Sequence, residues 1–140
     1  MKRRIVLLFA AVAVLLGGCS DLFFAPDRNG MVRDYTQITQ EEAKRMMAEE
    51  EGYVILDVRR PDEYAEGHIP GAVCLPSESI AEGERPAELP DTDQIILVYC
   101  RSGNRSKQAA EKLFRMGYTA VYEFGGILDW DGDIVAGETP

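Results

Sequence analysis

Two unbroken apolar runs, Val54-Ile55-Leu56 and Ile95-Ile96-Leu97-Val98-Tyr99, constrain this chain more than any other feature. Neither alternates with polar residues, and each stops directly on a reactive side chain, Asp57 and Cys100. A strand with one wet face reads apolar and polar in turn, whereas an unbroken run suits a strand covered on both faces, the setting of a parallel sheet between helix layers. Residues 72–75 and 120–124 read as further strands, the latter broken by Gly125-Gly126, and residues 35–38 as a short one at the start.

Helical signals fall between the strands. Thr39-x-x-Glu42 is a capping box that opens a helix with Ala43, Met46 and Met47 on one face. Ala109, Ala110, Leu113 and Phe114 recur at helical spacing over residues 106–115, with Lys112 and Arg115 in the last turn and Gly117 behind them as a C-terminal stop. Residues 127–130 read as a final short helix. Strands alternating with helices over short links predict an α/β fold of about five mostly parallel strands with helices on both faces, three layers in all.

The first 18 residues are an address. Lys2-Arg3-Arg4 precedes a twelve-residue apolar run, residues 5–16, which is the charged and apolar pairing of a secretory signal. The run falls short of the roughly 18 apolar residues a spanning helix needs. Leu16-Gly17-Gly18-Cys19 resembles the bacterial lipobox, which implies that Cys19 becomes the acylated first residue after cleavage. Each buried CH2 of its acyl chains would contribute about 0.8 kcal/mol to anchoring. The organisation expected is therefore a signal over 1–18, a lipidated tether over 19–33 rich in turn formers and charge, and one folded domain over 34–140, extracytoplasmic on the periplasmic or cell-surface side of a membrane. A monomer is expected.

Charge removes other classes. A net charge of -9 repels a phosphate backbone, so nucleic-acid binding is excluded. Cleavage would remove three of the 15 basic residues and leave half as many basic as acidic side chains, so anionic lipid would not hold the domain and the acyl chains must. Three cysteines without a CxxC pair, and a single histidine, give neither a structural zinc site nor a disulfide framework.

Open parallel sheets place their sites at the carboxyl ends of strands. Cys100-Arg101-Ser102-Gly103-Asn104-Arg105 lies between a buried strand and a helix N-terminus, where exposed N–H groups and two arginines favour a thiolate. Cys100 is accordingly the candidate nucleophile. Gly103 and Asn104 tolerate left-handed backbone, so the loop can curl its N–H groups inward as an anion nest, with Ser102 and Ser106 contributing backbone donors and a cap. Asp57 and Arg59, at the neighbouring strand end, read as support, with Asp57 bracing loop backbone or an arginine and Arg59 pairing with Glu63. Cys74 reads as a core residue more than a redox partner of Cys100, and Tyr118, Tyr122, Phe124 and Trp130 as core or pocket wall.

Four ordered segments, LDVRRPDEYAEGHIPGA at 56–72, VYCRSGNRS at 98–106, the helix carrying Ala109 and Ala110, and GGILDW at 125–130, resemble the rhodanese family of sulfurtransferases. The resemblance spans roughly residues 36–131 and implies the rhodanese fold. It also implies that Cys100 takes a sulfane sulfur from a donor, holds it as a persulfide and passes it to cyanide or a thiol. A loop carrying Arg101 and Arg105 implies an anionic donor such as thiosulfate or a persulfide, and no metal or organic cofactor is implied. For His68, the single histidine, the resemblance of GHIPGA to a turn of the family implies a structural role more than a proton carrier's.

Two other readings use the same loop. Cysteine phosphatases and arsenate reductases place five residues between cysteine and arginine to fit a tetrahedral oxyanion, and Cys100 to Arg105 encloses four. A lipid-anchored binding or sulfur-carrier module without turnover would keep the same residues.

Overall fold

The computed structural model describes residues 35–140, and the signal, Cys19 and the tether lie outside them. Five strands form one parallel sheet: β1 (Thr36–Gln37), β2 (Val54–Asp57), β3 (Val73–Cys74), β4 (Ile96–Cys100) and β5 (Val121–Gly126), in the order β1-β5-β4-β2-β3. The α/β fold expected from the apolar runs is the fold observed. Three helices cover the sheet, α1 (Gln40–Glu49), α2 (Pro61–Glu66) and α3 (Asn104–Arg115), together with 3-10 turns at Ser77–Ser79 and Ile127–Asp129.

The central strand shows why its sequence does not alternate. Every residue of β4 is buried. Ile96, Val98 and Cys100 pack with Leu56, Ala109, Ala110, Leu113 and Tyr118 on the α3 side. Leu97 and Tyr99 pack with Ile55, Ala43, Tyr64 and Phe124 on the other. Period-two side-chain alternation thus feeds two cores, both of which demand apolar residues. Helix α1 is opened by its capping box, Glu42 N–H donating to Thr39 Oγ1 at 3.1 Å and Thr39 N–H to the Glu42 carboxylate at 2.7 Å. Such a cap stabilises a helix by about 1 kcal/mol.

Four details depart from the sequence reading. Helix α3 starts two residues earlier than its apolar spacing suggests, at Asn104. Residues 127–129 form one 3-10 turn in place of a helix. Gly125-Gly126 does not break β5: the strand runs through Gly126, and the register shifts by one residue, Val98 opposing Glu123 and Cys100 opposing Gly126. Gly125 absorbs that bulge with φ +95, a backbone angle glycine adopts at little cost. Finally, α2 carries no periodic signal, and Pro61 at its first turn with Asp62 and Glu63 behind it defines its start.

Candidate active site

Cys100 ends β4 with its side chain 1% exposed, and the chain turns back over it within three residues to enter α3. The turn depends on Gly103, whose φ of +97 carries the backbone through the left-handed region. That conformation aims the Gly103 N–H at Cys100 Sγ, 3.0 Å away, and Ser106 Oγ lies 3.5 Å from the same sulfur. Burial raises the thiol, but hydrogen bonds from the Ser106 hydroxyl and from the backbone N–H groups of Ser106, Gly103 and Ser102 outweigh it and hold Cys100 below the ordinary cysteine range. Asn104, read from sequence as a second left-handed position, is instead the first helical residue, because only glycines adopt positive φ among the described residues.

The loop is fixed from behind by the end of β5 and the 3-10 turn that follows it. Leu128 N–H donates to the Arg101 carbonyl at 3.2 Å, and a β-carbon at Gly126 would stand 2.2 Å from that same oxygen. Only a residue without a side chain lets the strand pass so close to the loop. Beside this contact, a cleft of about 340 Å3 is lined by Gln37, Gln40, Ser102, Lys107, Glu123 and Asp129, among others.

The two loop arginines differ. Arg105 gives both terminal nitrogens to Glu63, at 2.7 and 2.9 Å, so it bridges α3 to α2. The Arg105 hydrogen bonds hold the Glu63 carboxyl down to about 2. Arg101 is exposed at the outer edge of the loop, while Ser102 and Asn104 are also exposed and Ser106 is fully buried.

Asp57 and Arg59 form a closed unit on the other face of the sheet. Arg59 reaches the Asp57 carboxylate at 2.6 Å and the Gly67 carbonyl at 2.7 Å, and Tyr99 Oη donates to Asp57 at 2.6 Å. The pairing of Arg59 with Glu63 expected from four-residue spacing is therefore incorrect. Helix α2 begins only at Pro61, so Arg59 lies ahead of it, and Glu63 is taken by Arg105 and by Arg60. His68 is fully buried, stacked on Tyr64 at 3.7 Å, with its ring nitrogens 2.9 and 3.0 Å from the carbonyls of Tyr64 and Thr139. Neither nitrogen is left for Cys100, and its role is structural.

Cys74 is half-buried and packs against the Tyr99 face, whereas Cys100 belongs to the opposite core. Strand β2 lies between them, so their backbones stand two strand spacings apart, about 9.6 Å. A disulfide needs Cα atoms within about 7 Å, which excludes an internal Cys74–Cys100 bridge in this fold.

Two residues of the site escaped the sequence reading. Glu123 is 2% exposed, and its Oε1 accepts from Ser106 Oγ at 2.6 Å and from Gly125 N–H at 2.9 Å. A lone acid inside the apolar stretch VYEF was the available signal, since a buried charge is the informative exception in a core. Glu63 was considered only as a partner for Arg59.

The sequence profile of the rhodanese-like domain family matches residues 39–133. The thiosulfate sulfurtransferase GlpE of Pseudomonas entomophila is 38% identical over 106 residues, covering 76% of this chain and 93% of that protein. The thiosulfate sulfurtransferase PspE of Escherichia coli is 40% identical over 74 residues, covering 53% of this chain and 70% of that one. Among solved structures, a rhodanese with anions from E. coli superposes with a TM-score of 0.55 at 35% identity, over 61% of this chain and 99% of its own.

Proposed function

Because the chain belongs to the rhodanese-like domain family, we propose that it is a sulfurtransferase whose Cys100 carries sulfane sulfur from an anionic donor, thiosulfate or a persulfide, to cyanide or a thiol. The observation that carries this reading is the Gly103 N–H 3.0 Å from a thiol held below its ordinary range. Donors converging on the sulfur stabilise a thiolate as it attacks and a persulfide anion afterwards, which is the demand of both half-reactions. Four residues separate Cys100 from Arg105, one fewer than in cysteine phosphatases, and Arg105 is already occupied by Glu63, so Arg101 is the loop cation left to meet an incoming anion.

The same proposal places the protein outside the cytoplasm, held to a membrane by lipid on Cys19, because the basic-apolar leader ends in Leu-Gly-Gly-Cys. The deciding experiment incubates the full chain with thiosulfate alone for intact mass, then adds cyanide and follows thiocyanate. Turnover with one sulfur gained on Cys100 supports the enzyme; a stable added sulfur without turnover supports a carrier module; neither signal from folded, reduced protein removes the sulfur-transfer reading.

A further inference from the structure

The Ser106 hydroxyl has one hydrogen and, besides the Gly125 carbonyl at 3.4 Å, two side-chain neighbours that compete for it. Its Oγ lies 2.6 Å from Glu123 Oε1 and 3.5 Å from Cys100 Sγ, and all three side chains are buried. With Glu123 ionised, the short contact takes the hydroxyl hydrogen, and the Cys100 S–H donates to Oγ. With Glu123 protonated, its own O–H donates to Oγ, and the hydroxyl hydrogen is free to turn toward a Cys100 thiolate. One proton therefore serves two sites, and the two arrangements differ by a double shift through Ser106 with no change in net charge.

The surroundings favour such sharing. The other hydrogen-bond partners of the Glu123 carboxylate are neutral, the Gly125 N–H at 2.9 Å and the Gln37 side-chain amide at 3.0 Å. The charged groups around the pair are few: Arg105 acts on Cys100 from α3, Lys107 and Asp129 line the cleft that Glu123 also lines, and Arg101 is exposed. Strand β1 and helix α1 bring only the amides of Gln37 and Gln40.

Building on the sulfur-transfer reading, we propose that Glu123, acting through Ser106, holds the Cys100 proton for as long as the sulfur is a persulfide. As Sγ attacks thiosulfate, the Sγ–S bond forms, the bond to the sulfonate breaks, and its electron pair leaves on sulfite. The Sγ proton moves to Ser106 Oγ while the proton of that hydroxyl moves to Glu123. A dianion enters and a dianion departs, and the buried site carries one negative charge throughout, first on Glu123 and then on the outer persulfide sulfur. When cyanide takes that sulfur, Sγ recovers the electron pair of the S–S bond and the proton returns from Glu123.

Infrared difference spectra of the full chain, thiosulfate-loaded minus unloaded, test this directly, with intact mass verifying the added sulfur. A protonated-carboxyl band is expected to appear on loading, to vanish on cyanide addition, and to be missing in both Glu123→Gln and Ser106→Ala. The Gln variant keeps an acceptor for Ser106 and Gly125, and is expected to load about a hundredfold more slowly. Persulfide formed in the unaltered chain without the band overturns the proposal, as does a Gln variant with the original rate. A band that survives in both variants belongs to another carboxyl and overturns it too. Absence of any persulfide removes the sulfur-transfer reading itself, and this proposal with it.

Discussion

Arg105 and Glu63 face each other across the gap between α3 and α2, joined by parallel N–O contacts of 2.7 and 2.9 Å. The pair ties the helix that begins at the reactive loop to the short helix after β2, so its loss affects both stability and charge at the site. Glu63 is held down to about 2 against an ordinary value of 4.5. A carboxyl depressed by folding stabilises fully above its unfolded value and less as pH falls toward its folded one. Glu63→Gln is expected to cost about 1 kcal/mol at pH 7 in urea unfolding, with the difference from the unaltered chain shrinking between pH 4.5 and 2. A constant difference across that window would show that the ion pair is not its source. Freeing Arg105 should also lower KM for thiosulfate.

Cys100 and Cys74 are shifted in opposite directions, the first below the ordinary thiol range and the second above it, through burial and the nearby Asp57 carboxylate. Brief alkylation at pH 7 followed by peptide mass mapping should therefore modify Cys100 before Cys74. The reverse order would show that the burial of Cys100, 1% exposed, outweighs its lowered thiol range.

Gly126→Ala places a β-carbon 2.2 Å from the Arg101 carbonyl oxygen, with Ser102 Cα at 2.6 Å. The loop must give way, and a displacement near 1 Å costs about a hundredfold in turnover. Steady-state thiocyanate assays should show that loss in a protein that remains folded by circular dichroism. Activity within threefold of the original would show the loop to be tolerant of the shift.

Asp57→Asn leaves Arg59 as a buried guanidinium without its carboxylate, 5% exposed. A broken buried pair costs about 3 to 5 kcal/mol, so thermal unfolding should move down sharply. Because the unit lies on the Tyr99 face and Cys100 on the other, kcat per folded molecule should be unchanged. A kcat loss at full folding would give Asp57 a part in turnover.

For membrane attachment, Cys19→Ala should move the protein from the membrane to the soluble fraction and abolish labelling by radioactive palmitate. A variant that still fractionates with membranes would remove lipid on Cys19 as the anchor.

Sequence legibility followed the range of the forces involved. The unbroken runs of β2 and β4 were readable because both cores impose the same demand on every residue, and the capping box of α1 because its partners are three residues apart. Helix α2, at six residues, is under two turns and too short to show a period. The partner of Arg59 was misread because helical spacing was applied to a residue ahead of the helix. Glu63 reaches Arg105 across 42 positions and Glu123 reaches Ser106 across 17, and no local pattern records either. The bulge at Gly125 was read as a stop because a glycine pair looks the same whether it ends a strand or lets one pass close to a loop.

The position of β2 between the two cysteines carries a last consequence. Among the described residues the sheet acts as a partition between two thiol chemistries, the Cys100 side and the Cys74 side. Sulfenic acid formed on Cys100 by an oxidant has no second thiol within reach among the described residues, so disulfide rescue falls to a thiol arriving from outside. A persulfide on Cys100, as proposed, would likewise be beyond the reach of Cys74. Its sulfur would leave only with a visitor, whose identity, more than any internal lock, would decide when the cycle turns.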